Sequence, residues 1–275
     1  MSFLSNTIRR FLVVFVLISM TNSASSQCAG YNLAFSSGEQ VTYHAYYNWG
    51  FIWLNAGRVT FSVKSVLWNK KEAYHFKSIG VTHANYDRLF TVRDTFETFV
   101  DKETLRPLEF KRITNEGSYS SYHHYLFDSI NSRIYSRISK EGGAVKQTTI
   151  AWPECSFDVL TMIYQARNID FSKYKLNDRI PIVMIVEDEI HNLYIRYLGR
   201  EIVENREGRK FRCLKFSPLL VEGTIFEAGE DMTVWVTDDK NRVPIVVEAK
   251  ILIGSVKAMF VDAKGLRHKS TSEIK

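Results

Sequence analysis

Val59-Thr60-Phe61-Ser62-Val63-Lys64 places an apolar side chain at every second position and a polar one between. Successive side chains of a strand point to opposite faces, so this run describes a sheet with one buried and one wetter face. The same period of two runs through Val41, Tyr43, Ala45 and Tyr47 against Thr42, His44, Tyr46 and Asn48, and again through Val243, Ile245 and Val247. Between such runs stand Asn55-Ala56-Gly57, Asn115-Glu116-Gly117, Glu141-Gly142-Gly143, Arg206-Glu207-Gly208 and Glu222-Gly223, all with turn chemistry. Strands joined by short turns predict consecutive hairpins. The expected fold is mainly β, a curved antiparallel sheet in a half-barrel or barrel-like meander.

One segment leaves that period. Phe157, Leu160, Ile163 and Tyr164 follow helical spacing, which predicts a helix over Phe157–Arg167 with Ser156 as N-cap, Asp158 at its positive end and Arg167 at its close. Val159, Met162 and Ala166 make this helix apolar most of the way round, so other structure must surround it. A curved sheet enclosing one main helix meets both demands. Asp101 and Asp238 also echo each other: each opens a polar turn after a strand, and Pro107 and Pro244 follow six positions on. Two ordinary hairpins or a repeated half-barrel unit both account for this.

The first residues carry a different message. Arg9 and Arg10 precede the apolar run Phe11–Ile18, and small polar residues Thr21–Ser26 follow. That order is a secretory signal peptide over residues 1–26, with cleavage near Ser26 and a single β-rich exported domain over 27–275. The apolar run is too short for a bilayer span, and no later stretch qualifies, so no transmembrane segment is expected in the mature chain. Cys28 raises a lipidated N-terminus as an alternative. Against it, Gln27 stands where a small residue precedes a modified Cys, and no Leu lies three positions before.

Arg9 and Arg10 are the only charges in that leader, so its removal turns the formal +6 into +4. A mildly basic surface without a dense Lys/Arg cluster gives no reason to expect nucleic acid. Three cysteines in an oxidising compartment allow at most one internal disulfide. Cys213 lies in the strand-like Phe211–Phe216, where a buried thiol is ordinary, and Cys28 with Cys155 is the expected pair, although sequence alone does not fix connectivity.

Phe35-Ser36-Ser37-Gly38-Glu39-Gln40-Val41-Thr42-Tyr43, the Asn55–Val59 step, Thr91–Thr95, Asp158–Thr161 with Ala166-Arg167, and Val234–Asp239 with Val243-Pro244 together resemble the exported bacterial domain-of-unknown-function family DUF3108. The likeness runs from about Phe35 to Lys264. It implies an exported, β-dominated domain with no established activity, and it carries no catalytic residues over. The strand–Asp–turn–Pro–strand unit is also similar to hairpins of periplasmic lipoprotein carriers, where an open half-barrel covers helices and holds acyl chains. This chain departs from them in having one clear helix.

No nucleophile elbow, phosphate-binding loop, dinucleotide fingerprint or zincin helix is present, so no catalytic residue, cofactor or metal site is assigned. Glu187-Asp188-Glu189-Ile190-His191 reads as a solvated turn, and His123-His124 point to opposite faces of a strand. Tyr47, Trp49, Phe51 and Trp53 share a face if their strand is regular; they are either core or the lining of a groove for an acyl chain or sugar. Arg58 and Arg93, if near, would hold an anionic head group. The leading expectation is therefore a non-enzymatic envelope protein binding an amphiphile (lipid or lipoprotein) or envelope glycan through Tyr47, Trp49, Trp53, Arg58 and Arg93. An assembly module contacting another envelope protein is the alternative. A carboxylate hydrolase using Glu97 with Asp101, or Asp94 with Glu97, ranks last.

Overall fold

The computed structural model describes residues 30–49, 52–88, 90–221, 229–250 and 254–274. The alternating segments of the first half become β1 (Gln40–Trp49), β2 (Ile52–Trp68), β3 (Lys71–Thr82), β4 (Arg93–Asp101), β5 (Pro107–Glu116), β6 (Tyr119–Asp128), β7 (Arg133–Lys140) and β8 (Lys146–Ala151). Each pairs antiparallel with its predecessor. The chain then crosses over through β9 (Ser156–Phe157), helix α1 (Val159–Ala166) and a 3-10 turn at Phe171–Lys173. It returns through β10 (Arg179–Val186), β11 (Glu189–Glu204), β12 (Lys210–Pro218), β13 (Met232–Thr237), β14 (Pro244–Lys250) and β15 (Ser255–Lys264), and a short β16 (Glu273–Ile274) pairs with β12. Strand β15 lies beside β1, so the two meanders share one sheet in the order β8 to β1, then β15 to β9. Only the β9–β10 pairing among them is parallel.

This sheet is curved and unclosed. Helix α1 touches β3 and β4 on one side and β10 on the other, although β2, β1, β15, β14, β13, β12 and β11 lie between. The sheet must therefore wrap round the helix. Its two wings also meet through side chains: the β10–β11 turn sends Glu187 to Lys140 at 2.6 Å and Asp188 to Ser136 and to Lys146, the latter at 3.5 Å. Glu187 and Glu189 are exposed, as a solvated turn would have them, but the Asp188 side chain is 6 % exposed because curvature folds it onto β7.

Inside the curve Tyr164 of α1 stacks on Phe76 at 3.9 Å, and Phe35 meets both rings edge-on at 5.1 and 5.2 Å. Leu160, Val63, Val100, Phe110, Tyr125 and Ile134 complete that cluster. Met162, Phe171, Ile180, Ile195, Leu214 and Phe216 form a second one against the other wing.

The helix starts later than the periodicity predicts. Ser156 and Phe157 pair with Val183 and Met184 of β10, so the backbone is still extended there. Asp158 is the N-cap instead, accepting from Thr161 N at 2.9 Å and Thr161 Oγ1 at 2.6 Å, with Thr98 Oγ1 at 3.2 Å. Asn55-Ala56-Gly57 is not a turn either; it lies within β2. Tyr46 pairs with Asn55 and Ala45 with Gly57, leaving Ala56 as a bulge residue. A Cβ on Gly57 would stand 2.3 Å from Val81 O, so the glycine serves the close approach of β3. Glu222-Gly223 lies outside the described residues.

The Asp101 and Asp238 hairpins do correspond. Both carry a register shift just before the turn and a left-handed residue two positions before the proline (Leu105 at φ 53, Arg242 at φ 51); the turn N–H groups are accepted by Asp101 in the first and by Asp239, one position later than Asp238, in the second. The helix ties them together: Gln165 donates to Leu105 O at 3.1 Å and Arg167 to Asn241 O at 3.0 Å. Cys155 is disulfide-bonded and Cys213 is free and buried; the expected partner Cys28 lies outside the described residues. No helix among the described residues is long and apolar enough to cross a membrane.

Candidate functional site

Residues paired across neighbouring strands share a face, so the registers sort the expected ligand residues. Tyr47 lies opposite Leu54 and Val256, on the inward face with Val41, Tyr43 and Ala45. Trp53 lies opposite Asn48, on the outward face, and the Lys257 ammonium sits 4.5 Å from its ring centre. Tyr47, Trp49 and Trp53 therefore do not line one strand face: the chain reverses between Trp49 and Ile52, and Phe51 lies outside the described residues. Trp49 pairs with Ile52, and its side chain also lies outside them. Arg58 and Arg93 both align with Val81 on the outward face. They flank Val81 from two strands apart, on the wrong side of the sheet for a concave groove. Arg93 is moreover engaged by Asp87 at 2.6 Å and Thr82 Oγ1 at 2.9 Å.

The concave side is divided. Its lower part, at the level of Phe76 and Thr98, is filled by α1 and Phe35. Above the helix, one row across the middle of the sheet reads Gly57, Ala45, Ala258, Val247, and the next reads Leu54, Tyr47, Val256, Ala249, Met232. Small side chains stand at the centre of this stretch of the concave face, the trough, where Ala45, Ala258, Val247, Val256 and Met232 face inward and are partly buried, while Ala249 in the same row is fully buried. Val59, Phe61 and Phe96 extend this apolar surface toward β4.

Beyond Phe96 the same face turns polar. Arg112 lies opposite His123 and Thr114 opposite Ser121, which sets four polar side chains in a square on β5 and β6. Arg112 donates through Nε to Thr114 Oγ1 at 2.8 Å, and its guanidinium lies 5.4 Å from the Phe96 ring centre. Beside it stand Asp94, whose Oδ1 accepts Asn115 N at 2.9 Å, and Glu116. Burial and the Asp94 charge push the Glu116 carboxyl up to about 7, and burial also raises Asp94. Burial lowers the affinity of His123 for its second proton. The two carboxyls hydrogen-bond to each other, so they lack the separation of about 5 to 10 Å that glycosidases use. The pairs named from sequence fare no better: Asp94 faces inward and Glu97 outward, while Glu97 is held by Lys77 at 2.7 Å and Asp101 by Lys71 at 2.6 Å.

His123 and His124 do point to opposite faces. His123 is buried within, and His124 meets Glu109 at 2.9 Å outside. Among the described residues no three His, Cys, Asp or Glu side chains are grouped to hold a metal. Two concavities lie elsewhere among the described residues. One of about 320 Å³ is on the outside of β6–β8 between His124, Tyr135, Arg137 and Gln147. One of about 130 Å³ lies between Phe211, Asn241, Phe260 and Leu266.

Arg112, Thr114, Ser121 and Glu116 went unnoticed in the sequence. The signal was available: they hold the inward parity of strands whose other inward residues are Phe110, Tyr125 and Phe127. Polar residues on an apolar parity are the informative exceptions.

A family model described as "Protein of unknown function (DUF3108)" matches residues 42–261. Among solved structures, this chain is similar to a β-barrel-like protein of domain of unknown function DUF1849 from Brucella abortus. The TM-score is 0.56 at 9 % identity, over 85 % of this chain and 98 % of that one, which shows a shared fold and nothing finer. Comparison with curated proteins gave no match.

Proposed function

We propose, from the premise that this chain belongs to the DUF3108 family, that it is an exported, non-enzymatic envelope protein whose half-barrel binds an amphiphile in the trough above α1. One observation carries the reading: inward-facing apolar residues of β1, β2, β14 and β15 are only partly buried beside a polar patch. Covering such surface with an acyl chain gains about 25 cal/mol per Å² before ordering costs, and apolar walls with a few convergent polar groups suit a ligand of that kind. Export is supported by the Arg9-Arg10 and Phe11–Ile18 pattern and by the disulfide at Cys155, a bond at home in oxidising compartments. Pairing of Cys28 with Cys155 completes the arithmetic left by a free Cys213.

Binding of a fluorescent fatty acid tests this. Ala258→Trp, which places a large ring in the centre of the trough, should weaken uptake about tenfold or more while leaving the fold intact. Trp53→Ala, on the outward face, should leave uptake unchanged. Equal uptake by wild type and Ala258→Trp sinks the proposal.

A second reading, an assembly module, is favoured by β8. It ends the sheet, and its outer row of backbone groups is open to strand addition by a partner. Crosslinking through a photoreactive group at Thr149 would capture an envelope partner under this reading and nothing under the first.

A further inference from the structure

The polar square on β5 and β6 contains two groups that the fold leaves unsatisfied. Ser121 is 5 % exposed and His123 2 %, yet Ser121 Oγ and His123 Nε2 are buried without a hydrogen-bond partner. His123 Nε2 comes no closer than 3.6 Å to Glu187 Oε1, beyond hydrogen-bonding reach. Buried polar groups are normally satisfied, and leaving one unmade costs about 1–3 kcal/mol, so two adjacent exceptions point to something that completes them. Arg112 stands directly across from His123, half-buried, with its Nε spent on Thr114. Among the described residues it makes no ion pair within 4.0 Å, so the fork of Nη1 and Nη2 is open.

We infer that Arg112, Ser121 and His123 form the receptor for an anionic head group, a carboxylate or a phosphate, carried by the chain that lies in the trough. This inference rests on the amphiphile reading above. The guanidinium fork matches two oxygens of such an anion, the serine hydroxyl donates to one of them, and His123 donates as its Nε2–H tautomer. The adjacent carboxyls do not forbid an anion: Asp94 and Glu116 hydrogen-bond to each other and Glu116 is raised to about 7, while Glu187, beside His123 Nε2, is paired with Lys140 at 2.6 Å. From Ala45 on β1 to Arg112 on β5 is four strand spacings, roughly 19 Å. An extended acyl chain can therefore lie across Phe61 and Phe96 with its head at β5.

Titration calorimetry with four probes reads this out: sodium dodecanoate, dodecyl phosphate, dodecanol and inorganic phosphate. Wild type should bind the two chain anions at least about tenfold more tightly than dodecanol. Arg112→Gln should erase that preference and leave dodecanol binding unchanged, and Ser121→Ala, a smaller change to the fold, should reduce it severalfold. Equal affinity for anions and alcohol in wild type overturns the head-group site and leaves the trough standing. Arg112-dependent binding of inorganic phosphate, with no chain molecule bound, supports the anion site and overturns the trough. Failure of all four probes overturns both.

Discussion

Arg167 grips both carboxylate oxygens of Glu39, Nη1 to Oε1 at 2.5 Å and Nη2 to Oε2 at 2.9 Å, with both side chains almost wholly buried. Asn241 O accepts from Nε and Nη2 of the same guanidinium. One residue at the end of the helix thus binds the segment before β1 to the β13–β14 turn. Burial in itself disfavours the charged guanidinium, but the Glu39 carboxylate holds its proton affinity above the ordinary arginine value.

Removing one partner strands a buried charge. Arg167→Met should cost about 3–5 kcal/mol in urea unfolding, and Glu39→Gln with Arg167→Met should recover much of that loss. A double variant as unstable as the single one would show that the ion pair is not the source.

Glu116 gives the fold a pH signature. Its folded value is raised from 4.5 to about 7, so the folded state binds a proton that the unfolded state releases. The stability this contributes is fully present below about pH 4.5 and is lost as pH rises through 7. Asp158, raised by burial from 3.8 to about 6, acts in the same direction over a lower window. Glu116→Gln should therefore gain on wild type between pH 5 and pH 8 in a melting series. Parallel curves would count against it.

Two glycines of neighbouring strands should behave differently. Gly57→Ala forces a Cβ to 2.3 Å from a backbone oxygen, so β2 and β3 must separate, at about 1–3 kcal/mol. At Gly80 the nearest atom is 3.9 Å away, and Gly80→Ala should be close to neutral. Thermal melts of the pair decide this, and equal losses would refute it.

Asp158→Ala removes the helix cap and orphans the Thr161 backbone N–H inside the curve. A loss of about 1–3 kcal/mol in denaturant titration is expected. A change below the error of that measurement would mean the cap contributes nothing.

The meander and the enclosed helix were legible because period and turn chemistry are local. The errors share one cause, the invisibility of partners. Gly57 looks like a turn until β3 is known to press on it, Ser156 looks like a cap until β10 claims its backbone, and Asp188 looks solvated until the two wings meet. For the candidate site, the residues named from sequence are not brought together on one face. Arg58 and Arg93 flank Val81 on the outer face, whereas Arg112 of β5 faces inward.

The pairing of β1 with β15 sets Gln40 against Lys264 in the middle of the sheet. As synthesis proceeds, the first strand waits with one edge bare until nearly the whole chain exists. Closure of that seam is a late event with large loop entropy against it, which makes for slow folding. Until then the bare edge is a template for misassociation, and a chain kept extended during translocation would be protected from it.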